Sequence, residues 1–143
     1  MALPIPQLKW GAHYHVGVAE IDDQHEQIAS VVNDLCDCLR RRAPRQEMAP
    51  LVEALVHRAS DHFAYEEGLM RKTDCPDYEL HKAEHDFLIA QVLNFQEQHQ
   101  AGMAQVDEAF LTYIKDWLRN HMLVADRRMS RHLRTLGLGP LEE

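Results

Sequence analysis

Apolar residues in this chain recur three and four positions apart, and the strict alternation of a half-buried strand is sustained nowhere. That period builds helices, each with one stripe to bury. Ile28, Val31, Val32, Leu35 and Leu39 form the first stripe. Its helix is expected to begin near Asp22, a favourable N-cap, and to end around Arg40-Arg41-Arg42, because Ala43-Pro44 disfavours continuation. A second helix starts between Gln46 and Pro50, with Pro50 tolerated in its first turn. It carries Leu51, Leu55, Ala59, His62 and Phe63 on one stripe and runs to about Lys72. A turn at Thr73-Asp74-Cys75-Pro76-Asp77 leads to a third helix, roughly Asp77 to Gln98, with Phe87, Leu88, Val92 and Phe95 inward. Gly102 marks the next loop, and a fourth helix runs from about Asp107 to Ala125 with Phe110, Ile114, Trp117 and Leu118 apolar. Four helices of about 20 residues are each about 30 Å long. Joined by short loops, they predict an all-α, antiparallel up-down-up-down four-helix bundle, preceded by an irregular N-terminal arm that includes Trp10 and Tyr14.

At 143 residues the chain suits a single domain, 1–143. Its 15 basic residues are outnumbered by 23 acidic ones, for a formal charge of −8, which argues against nucleic acid as a partner. Arg127, Arg128, Arg131 and Arg134 read as a solvated last turn that complements a helix dipole. No apolar run is long enough to span a bilayer, so no membrane association is expected. The opening residues show neither a charged leader region nor an apolar core of leader length, and the expected compartment is the cytoplasm. Cys36, Cys38 and Cys75 are odd in number and form no C-x-x-C pair, so they read as small buried hydrophobes rather than disulfide or zinc cysteines.

The chemistry lies in ten histidines. His81 and His85 are four apart, as are His62 and Glu66, so each pair shares a helix face. Singly, a pair such as His81 and His85 is expected by chance among so many histidines, His62 with Glu66 is more often a surface hydrogen-bonded pair, and His25 alone would be a partly exposed or capped histidine. His121 and Asp126, five apart, diverge by about 140° on a regular helix, so joint ligation implies a frayed or widened turn there. In an antiparallel bundle, however, all seven fall at the same end: His25 early in the first helix, His62 and Glu66 late in the second, His81 and His85 early in the third, His121 and Asp126 late in the fourth. Imidazole and carboxylate without thiolate argue against structural zinc, calcium and magnesium, and suit non-haem iron or manganese. Seven side chains are too many for one ion and sensible for two. With both carboxylates and one oxygen bridging, a single coordination place on two six-coordinate ions stays open, and a small ligand such as O2 would occupy it.

Val16-Gly17-Val18 with Ile21-Asp22-Asp23-Gln24-His25, then His62-Phe63-Ala64-Tyr65-Glu66-Glu67, His81-x-x-x-His85, and Trp117-Leu118-Arg119-Asn120-His121 through Asp126 resemble the hemerythrins, specifically the single-domain bacterial type, the bacteriohemerythrins. The resemblance runs from about Trp10 to Asp126. It implies two iron ions per chain with a bridging oxo or hydroxo group: His81, His85 and His121 on one iron, His25 and His62 on the other, Glu66 and Asp126 bridging. It implies reversible O2 binding at the open iron, for oxygen storage, carriage or delivery, with an oxygen-consuming enzyme as the partner of a delivery role. Ile28, Trp117, Leu118 and Met122 match positions lining the family's dry O2 pocket, although as core residues they would be apolar in any case. Met122 stands where the family commonly has Ile, and Met129 where an aromatic residue often follows the last carboxylate; both leave oxygen affinity and autoxidation rate open. Glu67 reads as solvated or as a partner behind the ligands, and His13, His15, His57, His99 and His132 match no ligand position and are expected at the surface.

The alternatives are a di-iron enzyme acting on peroxide or nitric oxide, which would use the same ligands, and an iron- or oxygen-responsive interaction module whose fold depends on metal. The His85-Asp86 dipeptide also suits a metal phosphohydrolase, but that reading leaves His62 with Glu66, and His121 with Asp126, unexplained.

Overall fold

The computed structural model describes residue 11 and residues 14–137. Among them the bundle expected from the periodicity is observed, with no strand. Helix α1 spans Ala19–Arg41, α2 Arg45–Lys72, α3 Tyr78–Gln100 and α4 Glu108–Asn120; a π-helical turn, His121–Asp126, then continues without a break into α5, Arg127–Thr135. Trp10 and His13 lie outside the described residues.

Three short connections set the antiparallel order. After α1, Arg42 takes a left-handed conformation (φ 58°) while the carbonyls of Cys38 and Leu39 accept from the next backbone N–H groups, closing the helix just before Ala43-Pro44. Between α2 and α3, the Thr73 hydroxyl donates to the Leu69 carbonyl at 2.8 Å and Asp74 is left-handed (φ 51°), folding the chain back on itself. Between α3 and α4, Gly102 has φ 78°, a conformation that favours glycine, with the Arg45 guanidinium packed close where a Cβ would stand. Asp107 then caps α4 by accepting from Phe110 N–H at 2.8 Å.

Several boundaries and faces differ from the sequence-based expectation. Asp22 is not the N-cap of α1, which begins three residues earlier; its carboxylate reaches back to accept from Val16 and Gly17 N–H (2.7 and 3.2 Å), tying the arm to the helix. Phe87, expected inward, is 57% exposed, because the buried stripe of α3 runs through His81, His85, Leu88, Val92 and His99. The same stripe buries His99, expected at the surface and only 1% exposed. His132, also expected there, is half-buried, donating from Nε2 to the Thr73 carbonyl at 2.9 Å. The fourth helix does not stop at Ala125. Met129, Ser130 and Leu133 of α5 are buried, and the Ser130 hydroxyl donates to the Val16 carbonyl. Arg128, Arg131 and Arg134 occupy its exposed side.

Two apolar clusters result. The larger fills the bundle from Cys38 and Met48 to Ile28, Phe63, Leu118 and Met122. The smaller, made of Val16, Ile21, Met70, Cys75, Met129 and Leu133, closes the end at the α2–α3 turn. All three cysteines are buried and free. Among the described residues, no helix is long and apolar enough to cross a membrane.

Candidate metal centre

Between the two clusters lies a layer of buried polar side chains contributed by every long helix. His25 of α1, His62 and Glu66 of α2, His81 and His85 of α3, and His121 and Asp126 of the π turn are each no more than 5% exposed. The turn supplies the widening that the five-residue spacing demands: it brings His121 Nε2 to 3.1 Å from Asp126 Oδ1.

The seven side chains divide into two overlapping sets, each with ligand atoms within 4.8 Å of one another: Glu66, His81, His85, His121 and Asp126, and His25, His62, Glu66 and Asp126. The carboxylates belong to both because their oxygens point opposite ways. Glu66 Oε1 lies 3.2 Å from His81 Nε2 and 3.1 Å from His85 Nε2, whereas Oε2 lies 2.9 Å from His62 Nε2 and 3.7 Å from His25 Nε2. Asp126 Oδ1 lies 2.9 Å from His81 Nε2, and Oδ2 lies 2.9 Å from His25 Nε2. Three imidazoles thus stand on one side of the carboxylate pair and two on the other.

The outer ring nitrogens are held as well. His62 Nδ1 meets Gln24 Oε1 at 2.6 Å, His85 Nδ1 meets Glu67 Oε2 at 2.9 Å, and His121 Nδ1 meets Glu84 Oε1 at 3.0 Å. An ionised carboxylate only accepts, so the hydrogen sits on Nδ1 and the Nε2 lone pair faces inward, the arrangement of metal-ligating histidines. His85 and His121 then present their Nε2 atoms to each other at 3.0 Å. Two lone pairs at that distance repel unless positive charge lies between them or with them.

The electrostatics express the same demand. Burial works against the charged rings of His25 and His81, but hydrogen bonds and charge from Asp126 and Glu66 outweigh it, raising His25 to about 9 and His81 to about 10. His121 is raised by the same competition. Burial also works against Glu66, yet His62, His25 and His81 hold it well below the usual carboxylate range. Asp126, opposed by burial and by the charge of Glu66, is held low by His121 and His25. Two buried carboxylates call for several positive charges; protons on imidazoles meet that call in the metal-free chain, and cations would displace them. By this donor set and its charge, the residues fit a pair of cations.

A small cavity with room for about one water-sized molecule adjoins the two-imidazole side, lined by His25, Ile28, His62, Phe63, Leu118, His121, Met122 and Asp126. Ile28, Leu118 and Met122 of the expected pocket are there. Trp117 is not: it stacks on the His121 ring (4.5 Å, 15°) and lines an outer groove with Leu80, Glu84 and Val124. Phe63, stacked on His85 (3.9 Å, 6°), lines the cavity in its place. Sequence reasoning also missed Gln24 and Glu84. The available signal was adjacency: each neighbours a candidate ligand and so projects about 100° away, toward the next helix. Asp86 points elsewhere, bonded to Lys82 at 2.8 Å on the surface.

Fold and site together define a class: helical bundles that enclose a two-compartment cation site of imidazoles joined by shared carboxylates. Residues 16–133 match the family model described as the hemerythrin HHE cation binding domain, and the chain belongs to the hemerythrin family. It is similar to bacteriohemerythrin of Methylococcus capsulatus, 34% identical over 116 residues, covering 81% of this chain and 88% of that protein. It is 25% identical to bacteriohemerythrin of Ralstonia nicotianae, covering 97% and 98% of the two chains. The crystal structure of a wild-type hemerythrin superposes with a TM-score of 0.79 at 34% identity, covering 83% of this chain and 92% of that one.

Proposed function

We propose that this chain, as one domain, reversibly binds O2 at a non-haem di-iron centre and serves oxygen storage, carriage or delivery in the cytoplasm. His81, His85 and His121 would hold one iron, His25 and His62 the other, with Glu66 and Asp126 joining the two and an oxo or hydroxo group completing the bridge. The observation that carries the reading is the unequal division of donors, three imidazoles against two, with the cavity on the poorer side. When bound and reduced, such an iron pair supplies one electron from each ion and an open coordination place for O2.

The chain's own part is to hold and to exclude. Gln24, Glu67 and Glu84 orient three of the rings by their outer nitrogens. Ile28, Phe63, Leu118 and Met122 wall the cavity with apolar surface, keeping out the water and acids that would turn reversible binding into oxidation. Among the described residues, the cavity lining apart from the candidate ligands is apolar, a surface that suits holding a small neutral molecule. An oxygen-consuming enzyme is the partner class that delivery implies.

The test is anaerobic reduction followed by air, watched by visible absorption alongside iron counting. Two irons per chain and a coloured species that fades when O2 is removed are expected. A mononuclear protein, or one whose metals sit on other side chains, would sink the proposal.

A further inference from the structure

The outer partners of His62, His85 and His121 differ in charge between the two sides of the centre. On the three-imidazole side, His85 donates from Nδ1 to the Glu67 carboxylate at 2.9 Å and His121 to the Glu84 carboxylate at 3.0 Å. On the two-imidazole side, His62 meets the neutral amide oxygen of Gln24 at 2.6 Å. Each bond crosses between helices: Gln24 of α1 to a ring of α2, Glu67 of α2 to a ring of α3, Glu84 of α3 to the ring that follows α4. A ring sharing its proton with an anion becomes a stronger donor at its other nitrogen than one sharing with an amide, and it stabilises more positive charge there.

We propose that Glu67 and Glu84 are positioning residues whose charge makes the two halves of the centre unequal. The three-imidazole half holds its cation more tightly and favours the higher oxidation state, while Gln24 leaves the two-imidazole half the more labile. The inference rests on the di-iron reading above and deepens it. The half next to the cavity is then the half suited to exchanging a ligand, because its cation has fewer imidazoles and, at His62, weaker backing. Glu84 is 42% exposed at its side chain, so its charge sits at the edge of the layer where desolvation is modest, whereas Glu67, at 13%, is set deeper.

The experiment uses the full chain loaded with iron, as wild type and as Glu67→Gln, Glu84→Gln and Gln24→Glu. Glutamine keeps an acceptor in place and removes the charge, which separates charge from simple orientation. Three quantities are read: iron per chain, the rates at which the two ions pass to a ferrous chelator under anaerobic conditions, and the midpoint potential by spectroelectrochemical titration. Wild type should hold two irons and release them in two phases. Glu67→Gln and Glu84→Gln should keep two irons, speed the slow phase about 10- to 100-fold and raise the potential. Gln24→Glu should slow the fast phase and lower the potential. Glutamine variants that leave the slow phase within about twofold of wild type and the potential unmoved would overturn the inference, since the known cost of losing such partners is larger. Should the Glu67 variant fail to fold, the exposed Glu84 and the gain of charge at Gln24 decide the matter alone. A wild type holding fewer than two irons would bring down the di-iron reading and this inference with it, whereas unchanged variants of a two-iron protein would overturn only the inference.

Discussion

His81 and His99 occupy the same helix and the same buried stripe, 2% and 1% exposed, at opposite ends of the bundle. At the turn end, the carboxylates of Glu66 and Asp126 overcome burial and raise His81 to about 10. At the far end, His99 lies against Phe95, with Arg45 bonded to its carbonyl oxygen at 3.3 Å, and burial together with that positive charge lowers it. Two imidazoles both closed off from solvent thus shift in opposite directions. The difference teaches that buried imidazole alone is only an expensive core residue; buried carboxylate beside it makes a cation site.

The sharpest way to break this contrast is Asp126→Ala. One of the two carboxylates that reach both halves is lost, so iron content should fall from two per chain to well below one. Leaving buried charged rings without it should destabilise the metal-free chain by about 3–5 kcal/mol, read by urea unfolding. The reciprocal change at the apolar end is Leu35→Ala, where the side chain is 0% exposed. A cost of about 2–5 kcal/mol with iron unchanged at two is expected, and loss of iron would show that the ends are not separable.

Titration sharpens the comparison further. The raised His25 and His81 give the metal-free chain stability that is complete below the ordinary imidazole value of about 6.5. It is lost as pH climbs through their folded values of about 9 and about 10. The lowered Glu66 and Asp126 contribute above the ordinary carboxylate range and lose that contribution as pH falls through their depressed values. His99, being lowered, contributes only above its ordinary value and is a liability in acid. Urea midpoints of the metal-free chain should therefore decline from pH 7 to 10, and His99→Leu should relieve the acid-side loss without touching the alkaline one. A midpoint flat across the alkaline range would refute the carboxylate argument.

Leu118→Asn brings a polar group to the wall of the cavity, where Leu118 is 4% exposed. Autoxidation in air, followed by visible absorption, should accelerate several-fold while iron stays near two; loss of iron instead would show that Leu118 supports the ligands rather than the cavity. The smallest effect belongs to Asp86→Ala. Its carboxylate is 62% exposed and bonded to Lys82, so iron should be retained and stability should change by no more than about 0.5 kcal/mol. Loss of metal would revive the phosphohydrolase reading of His85-Asp86.

The sequence by itself determined the helices, their order and the chemical character of the site. A three- and four-residue apolar period specifies that each helix buries one stripe, and joint ligation across the five-residue gap from His121 to Asp126 already implied a frayed or widened turn. Only the tertiary structure decided how each face is rotated against its neighbours. That rotation exchanged Phe63 for Trp117 at the cavity, turned Phe87 outward and His99 inward, and divided the oxygens of Glu66 and Asp126 between two compartments. It also brought Gln24 and Glu84 behind rings on other helices, and docked α5 through Met129 and Leu133, where the chain reads as an arginine-rich end. Periodicity is a property of one helix, whereas packing angle and register belong to pairs of helices and follow from side-chain volumes meeting across an interface.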